Sequence, residues 1–164
     1  MDNGGINERI RRATLEDIPA IRALCAVMDA GHVAGLPELF RACDGAMRPI
    51  EFWEGALRDE RDVLLVSESR AGSVAAYALL TVHDTPDIPN VVPRRLGILE
   101  DLVVHPDHRR SGHAKRLLER VDCEARAQGA GSIELRVWAF NEAALALYQS
   151  SGYADLQRRL SKRL

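Results

Sequence analysis

A chain of 164 residues, 46% apolar and 28% charged, can bury one core without staples and has the profile of a soluble globular protein, which excludes a disordered one. Its formal net charge of −2 supplies no overall attraction to nucleic acid or to an anionic membrane. Cys25, Cys43 and Cys123 are odd in number, far apart and without a Cys-x-x-Cys pair, so neither a disulfide framework nor a metal site is expected and a reducing compartment fits.

The opening "MDNGGINERI" lacks the apolar centre of a signal peptide, and no apolar run reaches membrane-spanning length. The expectation is one soluble, cytoplasmic domain over residues 1–164 with no membrane or nucleic-acid partner. "ERIRRA" at 8–13 reads as a short edge strand. "TLEDIPAIRALCAVM" follows as a helix, with Thr14 as N-cap and Ile18, Ile21, Leu24, Cys25 and Met28 at helical spacing. Residues 29–49 are punctuated by Gly and Pro and read as a loop around a short helix at "PELFRAC". "PIEFWEGALRD" predicts a second helix, and "DVLLVSES" and "VAAYALLTV" a hairpin turned at "RAGS". The three prolines of "HDTPDIPNVVP" mark a loop before a third strand, "RRLGILEDLVVH". The next helix, "GHAKRLLERVDCEARAQGAG", carries Ala114, Leu117, Leu118, Val121 and Ala125 on one face and stops at Gly129 and Gly131. "SIELRVWAF" reads as a strand, "NEAALALYQSSG" as a helix capped by Asn141, and "LQRRLSKRL" as a last strand. Alternating helices and strands place the chain in the α/β or α+β class around a mixed sheet.

The segment "VVHPDHRRSGHAKRLLERV", residues 103–121, passes from a β-branched run through a polar knot into an amphipathic helix. A helix N-terminus presents unpaired amides and about half a positive charge. Gly112 lets an anion approach those amides closely, and Arg109 and Arg110 add charged donors. The residues by themselves fit a phosphate or pyrophosphate site, and they equally fit a surface loop with solvated arginines. No Gly-x-x-x-x-Gly-Lys-Ser/Thr, Gly-x-Gly-x-x-Gly, His-Glu-x-x-His or Gly-x-Ser-x-Gly pattern occurs.

"LEDLVVHPDHRRSGHAKRLLE" resembles the central motif of the GNAT superfamily of N-acetyltransferases, a strand followed by Gln/Arg-x-x-Gly-x-Gly/Ala and a helix. Arg109, Gly112 and Ala114 stand at its three defined positions, and Val104-x-Pro106 precedes it as the family usually shows. "LRVWAFNEAALALYQSSGYADL" resembles the family's following strand, helix-opening Asn, helix Tyr and "GY" turn. The resemblance covers residues 62–156. Residues 1–61 match in outline, as an edge strand and acceptor-side helices. Many family members carry Gly where this chain has Arg110 and an aliphatic residue where it has His113; the motif defines neither position.

The resemblance implies a single GNAT-like domain with a mixed, mostly antiparallel sheet flanked by helices, and an acetyl-CoA-dependent acyltransferase using no metal. It places the donor's pyrophosphate on the amides of Arg110, Ser111, Gly112, His113 and Ala114, beside Arg109, with Lys115 adding charge. It runs the pantetheine arm as an added strand along Leu102, Val103 and Val104, touching Asn141 and Ala144, with an amide near Leu102–Val103 polarising the thioester. His113 is either a phosphate donor or a surface residue.

A lysine-like amine, with a pKa of about 10.4, needs help to lose its proton. Glu100 is the first choice of base, through water, and Asp101 the second. In a regular strand they point to opposite faces, a limit that the bulge of relatives near this point relaxes. Alternatively one of them pairs with an arginine such as Arg136. Tyr148 lies two helical turns beyond Asn141, where relatives use a tyrosine to protonate the departing thiolate; a tyrosine packed at the core rim is the other reading.

The acceptor cleft is expected between the N-terminal helices and Trp138, with His32, Pro37, Phe40, Phe52 and Trp53 as lining candidates, although two aromatics on one short helix are more often core. Glu38, Glu100 and Asp101 lean toward a cationic acceptor. The expected partner is a small-molecule amine, and homodimers are common in the family. The alternatives are acetylation of a protein N-terminus or lysine, a non-catalytic acyl-CoA sensor, and a nucleic-acid role for the basic tail.

Overall fold

In the computed structural model residues 9–43 and 47–163 are described, so Glu8 and Leu164, at the ends of the first and last expected strands, lie outside the described residues. Among them five strands form a sheet in sequential order. The elements are β1 (Ile10–Arg12), α1 (Ile18–Gly35), α2 (Ile50–Arg58), β2 (Asp62–Glu68), β3 (Val74–Asp84), β4 (Arg95–Val104), α3 (His113–Ala127), β5 (Ser132–Leu135) and α4 (Glu142–Ser150). β1 to β4 pair antiparallel, and β5 joins β4 in parallel. No helix among the described residues is long and apolar enough to cross a membrane.

Alternation along β3 sorts the core into two layers. Tyr77 and Leu79 face one side, with Ile21, Leu24, Trp53 and Val103 under α1 and α2. Ala76, Ala78 and Leu80 face the other, with Leu99, Leu117 and Val121 under α3. The start of α1 is locked by Arg11, which grips Asp17 at 2.6 and 2.9 Å and Glu68 at 2.7 Å. That guanidinium holds the Asp17 carboxyl below the usual range.

β4 contains one residue more than its partner strand. Leu80 pairs with Leu99 and Leu79 with Asp101, so Glu100 is an inserted bulge residue. Before the bulge Leu99 faces α3; after it Leu102 and Val104 do, while Val103 faces α1 and α2. Glu100 and Asp101 therefore both belong to the α1–α2 side, where regular alternation would have separated them.

Several sequence expectations are corrected. α1 continues to Gly35 instead of ending near Met28. The ring of Phe140 closes on Gly35 where a Cβ would stand, so the position leaves no room for a larger residue. "PELFRAC" forms a single turn, in which the Leu36 carbonyl accepts from the amides of Leu39 and Phe40. The strand expected over "SIELRVWAF" stops at Leu135. Its last pair is Leu99↔Leu135, immediately before the bulge turns β4 aside. "LQRRLSKRL" forms no strand among the described residues. Arg158 and Lys162 interrupt the face that Leu156 and Leu160 would share.

Deleting Glu100 would join Leu99 to Asp101 in an unbroken ladder without changing the face of any flanking residue. The expected outcome is one cooperative unfolding transition with a midpoint within about 5 °C of the parent, measured by circular dichroism. A molten or insoluble product would show that the bulge is required for folding.

Candidate active site

The knot between β4 and α3 is a braced loop. After the short 3-10 turn Pro106–His108, Arg109 is extended, Arg110 adopts φ 63° and Gly112 φ 88°. Gly112 takes this left-handed conformation freely, whereas Arg110 pays roughly 1–2 kcal/mol for it. Gly112 is also closely approached, since a Cβ there would lie 2.6 Å from Nη1 of Arg116. Arg116 donates from Nη2 to the Ser111 carbonyl at 3.2 Å, Arg109 donates from Nε to the Val104 carbonyl at 3.4 Å, and the Ser111 hydroxyl donates to the His108 carbonyl. Arg110 and Lys115 remain exposed.

His113 is not a surface residue. It is 2% exposed, its Nδ1 is hydrogen-bonded to Ser67 Oγ at 2.8 Å, and its ring meets His108 edge-on at 5.8 Å. Burial lowers its pKa below the ordinary histidine value, with His108 adding to the effect. Its side chain belongs to the contact between sheet and helix, and what it offers the loop is its backbone at the first turn of α3.

β5 follows β4 only from Leu96↔Ser132 to Leu99↔Leu135. From Glu100 to Val104 the outer edge of β4 has no strand beside it among the described residues, and this open wedge points at the braced loop. Across it, α4 begins at Asn141, whose Oδ1 accepts from the Ala144 amide at 3.2 Å. Asn141 is thus the helix cap, with its amide NH2 group left for another acceptor. Tyr148 is partly buried against the layer under α3, with its ring 5.7 Å from that of Tyr153. Burial, with the charge of Asp101 adding to it, pushes the Tyr148 phenol up to about 12. It therefore holds its proton at neutral pH.

The two neighbouring carboxylates of β4 differ. Asp101 is 4% exposed. Arg48, from the segment between α1 and α2, grips both its oxygens, with Nη2 donating to Oδ1 at 3.1 Å and Nη1 to Oδ2, and the Tyr77 hydroxyl donates to Oδ2 at 3.0 Å. The Arg48 guanidinium also lies over the rings of Phe52 and Trp53, 4.9 and 5.4 Å from their centroids. The arginine partner considered from sequence was Arg136; the structure supplies Arg48. Glu100 is exposed and has no ion pair among the described residues.

Where the acceptor cleft is expected from the sequence, His32 stacks on Phe40 at 5.1 Å and meets Phe140 at 6.5 Å, while Phe40 meets Trp138 edge-on at 5.3 Å. Trp138 stands in an irregular segment after β5 and is 37% exposed. Trp53 is wholly core, Phe52 is exposed, and Pro37 is exposed beside the Leu36 turn. Sequence reasoning missed Arg48 and Tyr77. A lone tyrosine in an otherwise apolar strand needs a buried acceptor and was the available signal for the second.

Replacing Arg48 by Met would leave Asp101 buried with Tyr77 alone. Because Arg48 keeps 26% of its side chain in water, the expected loss is about 2–3 kcal/mol in urea unfolding, recovered in large part by adding Asp101→Asn. An unchanged midpoint in the single variant would show that the pair holds nothing.

Comparison with known proteins agrees with this geometry. The pattern of the acetyltransferase (GNAT) family matches residues 28–153. The uncharacterized N-acetyltransferase YycN of Bacillus subtilis (strain 168) is 29% identical over 85 residues, 52% of each chain, so the match spans about half of that relative. The uncharacterized N-acetyltransferase YhfO of the same organism is 28% identical over 131 residues, 77% of this chain and 85% of that one. A crystal structure of a mutant BH1408 protein from Bacillus halodurans superimposes with a TM-score of 0.90 at 25% identity, covering 95% of this chain and 99% of that one. A five-stranded, mostly antiparallel sheet that opens between its fourth and fifth strands, a glycine-opened helix at the end of the fourth, and the matched pattern lead to one conclusion: the chain belongs to the GNAT family of acetyltransferases.

Proposed function

We propose that the chain transfers an acetyl group from acetyl-CoA to a primary amine of a small molecule, in the cytoplasm, by direct attack of the amine on the thioester. The observation that carries this reading is the continuity of the open β4 edge, Glu100–Val104, with the braced loop at the start of α3. An extended arm can add to the first as a strand while its anionic end meets the second. Amides of Arg110–Ala114, the left-handed Arg110 and Gly112 among them, suit a pyrophosphate, and exposed Arg110 and Lys115 add positive charge. An amide near Leu102–Val103 polarises the thioester carbonyl, and the amide group of Asn141 steadies the arm beside Ala144.

On the acceptor side Glu100 takes the ammonium proton through water. Asp101 supports this assignment by being engaged with Arg48 and Tyr77, which leaves Glu100 as the available carboxylate at the bulge. The amine nitrogen then bonds to the carbonyl carbon, the carbon–sulfur bond breaks as the Tyr148 hydroxyl gives its proton to the leaving sulfur, and the second proton of the nitrogen leaves through water to restore the phenol. A phenol pushed up to about 12 is protonated throughout the working range, as a general acid must be. His32 and Trp138 flank the acceptor.

Single-turnover release of thiol from acetyl-CoA with a pool of amines tests the reading. Tyr148→Phe is expected to slow it tenfold or more, about the lower bound for lost acid catalysis. The parent rate is expected to hold at pH 10, where a tyrosine of ordinary pKa, about 10, would be half ionised. A rate unaffected by Tyr148→Phe removes the tyrosine from the mechanism, and failure to bind acetyl-CoA removes the mechanism.

Arg110→Gly relieves the left-handed arginine against a more flexible unfolded chain, and is expected to raise the melting midpoint by about 1–3 °C. Acetyl-CoA affinity should change by less than about fivefold, as for loss of one exposed cation. A much larger loss, read by titration calorimetry, would make the Arg110 side chain a principal phosphate ligand.

A further inference from the structure

The bulge sets two carboxylates on successive residues toward the same side of the sheet. Carboxylates so placed interfere with each other: the ionisation of one opposes that of the other, and the pair exchanges its protons jointly. At Asp101 that interference is removed. Arg48 takes both of its oxygens, the Tyr77 hydroxyl adds a donor to Oδ2 at 3.0 Å, and only 4% of the residue meets solvent. Glu100 is exposed and has no ion pair among the described residues.

Arg48 is itself held. It precedes Pro49, the N-cap of α2, and its guanidinium lies over the rings of Phe52 and Trp53 near the start of that helix. Trp53 is fully buried and meets the Tyr77 ring edge-on at 5.6 Å. The cation, its ring support and the second donor to Asp101 are therefore one packed unit. A planar guanidinium offers its faces to rings and its edge to a carboxylate at once, which an ammonium group cannot do. The other titratable groups tied to this pair by charge are Cys25 and Asp29 of α1, Tyr77 of β3 and Tyr148 of α4, with His32 acting on Asp29. Among the described residues only Arg48 forms an ion pair with Asp101.

We infer that Arg48 is a positioning residue for acetyl transfer: by matching Asp101 it isolates the second bulge carboxylate, so that Glu100 alone takes up and passes on the proton of the amine. Arg48 touches no reacting atom in this role and acts through Asp101. The inference deepens the acetyl-transfer reading and rests on its assignment of Glu100 as the base.

NMR titration of the side-chain carboxyls follows Glu100 without turnover, its signal identified by its loss in Glu100→Gln. Arg48→Met leaves Asp101 unmatched and is expected to move the Glu100 titration to higher pH by about half a pH unit or more, as for a carboxylate neighbour at an exposed site. Asp101→Asn leaves the arginine charge unmatched and should move the titration to lower pH by about as much. Removing both charges, in Arg48→Met/Asp101→Asn, should return it to within about 0.2 pH unit of the parent. The acid limb of single-turnover thiol release should follow the same pattern, with acetyl-CoA affinity held within about twofold. A role in stability alone would lower rates without opposite shifts. If Arg48→Met does not fold, Asp101→Asn and the double variant carry the test, because the shift between them is expected all the same. Titrations that coincide in every folded variant, or shifts of one sign in both single variants, overturn the inference. Opposite shifts with no thiol released by any amine uphold the charge matching and overturn acetyl transfer. Thiol release whose acid limb neither substitution moves overturns the role of Arg48 and leaves acetyl transfer standing, so the two readings fail separately.

Discussion

Between the pairs Leu80↔Leu99 and Leu79↔Asp101, β4 holds one residue more than β3, and the placing of two neighbouring carboxylates on one face depends on that insertion. Without Glu100 the strand would still alternate correctly, but one carboxylate would be missing from the face toward α1 and α2. With it, Glu100 and Asp101 share that face while Leu99 and Leu102 both remain under α3. The same distortion coincides with the end of β5 pairing at Leu99↔Leu135. A bulge increases local twist and interrupts a ladder, so one inserted residue both sets out the acid groups and opens the wedge beside them.

On the α1–α2 side the opened sheet carries a buried ion pair. Asp101 is almost fully enclosed, and an enclosed carboxylate is tolerable only with its partners in place. Arg48 and Tyr77 supply them from two other parts of the chain, and Arg48 is clamped in turn over Phe52 and Trp53. The segment between α1 and α2 is thereby tied to the middle of β4. Asp101 becomes an architectural group, and the uncompensated charge of the cleft falls to its neighbours.

On the donor side the same economy of roles applies to a short stretch of backbone. Arg109, Ser111 and Arg116 bond back to carbonyls of the strand end and of the loop itself. Those bonds offset the left-handed conformation of Arg110, which Gly would adopt without penalty. His113 turns away to Ser67, so the first turn of α3 is anchored from beneath while its backbone faces the loop. Rigid amides at a helix start need no reorganisation to receive an anion.

The helical spacing of α3, the Gly129 stop, the β2–β3 hairpin and the Asn141 cap could all be read from the chain, because each depends on neighbours within a few residues. The motif from Arg109 to Ala114 was legible for the same reason. The close approach of the Phe140 ring to Gly35 at the end of α1 was not, since it brings together residues about a hundred positions apart. Nor was the early end of β5, which is decided by the bulge in a strand some thirty residues earlier. The inward turn of His113, the pairing of Asp101 with Arg48 and the separation of Glu100 from that pair are also tertiary outcomes. The sequence by itself determined which elements form and where an anion can meet a helix, because those follow from local periodicity and backbone chemistry. Only the folded structure decided which carboxylates are matched and which are left open, because a buried charge takes its partner from whatever the sheet and helices bring within reach.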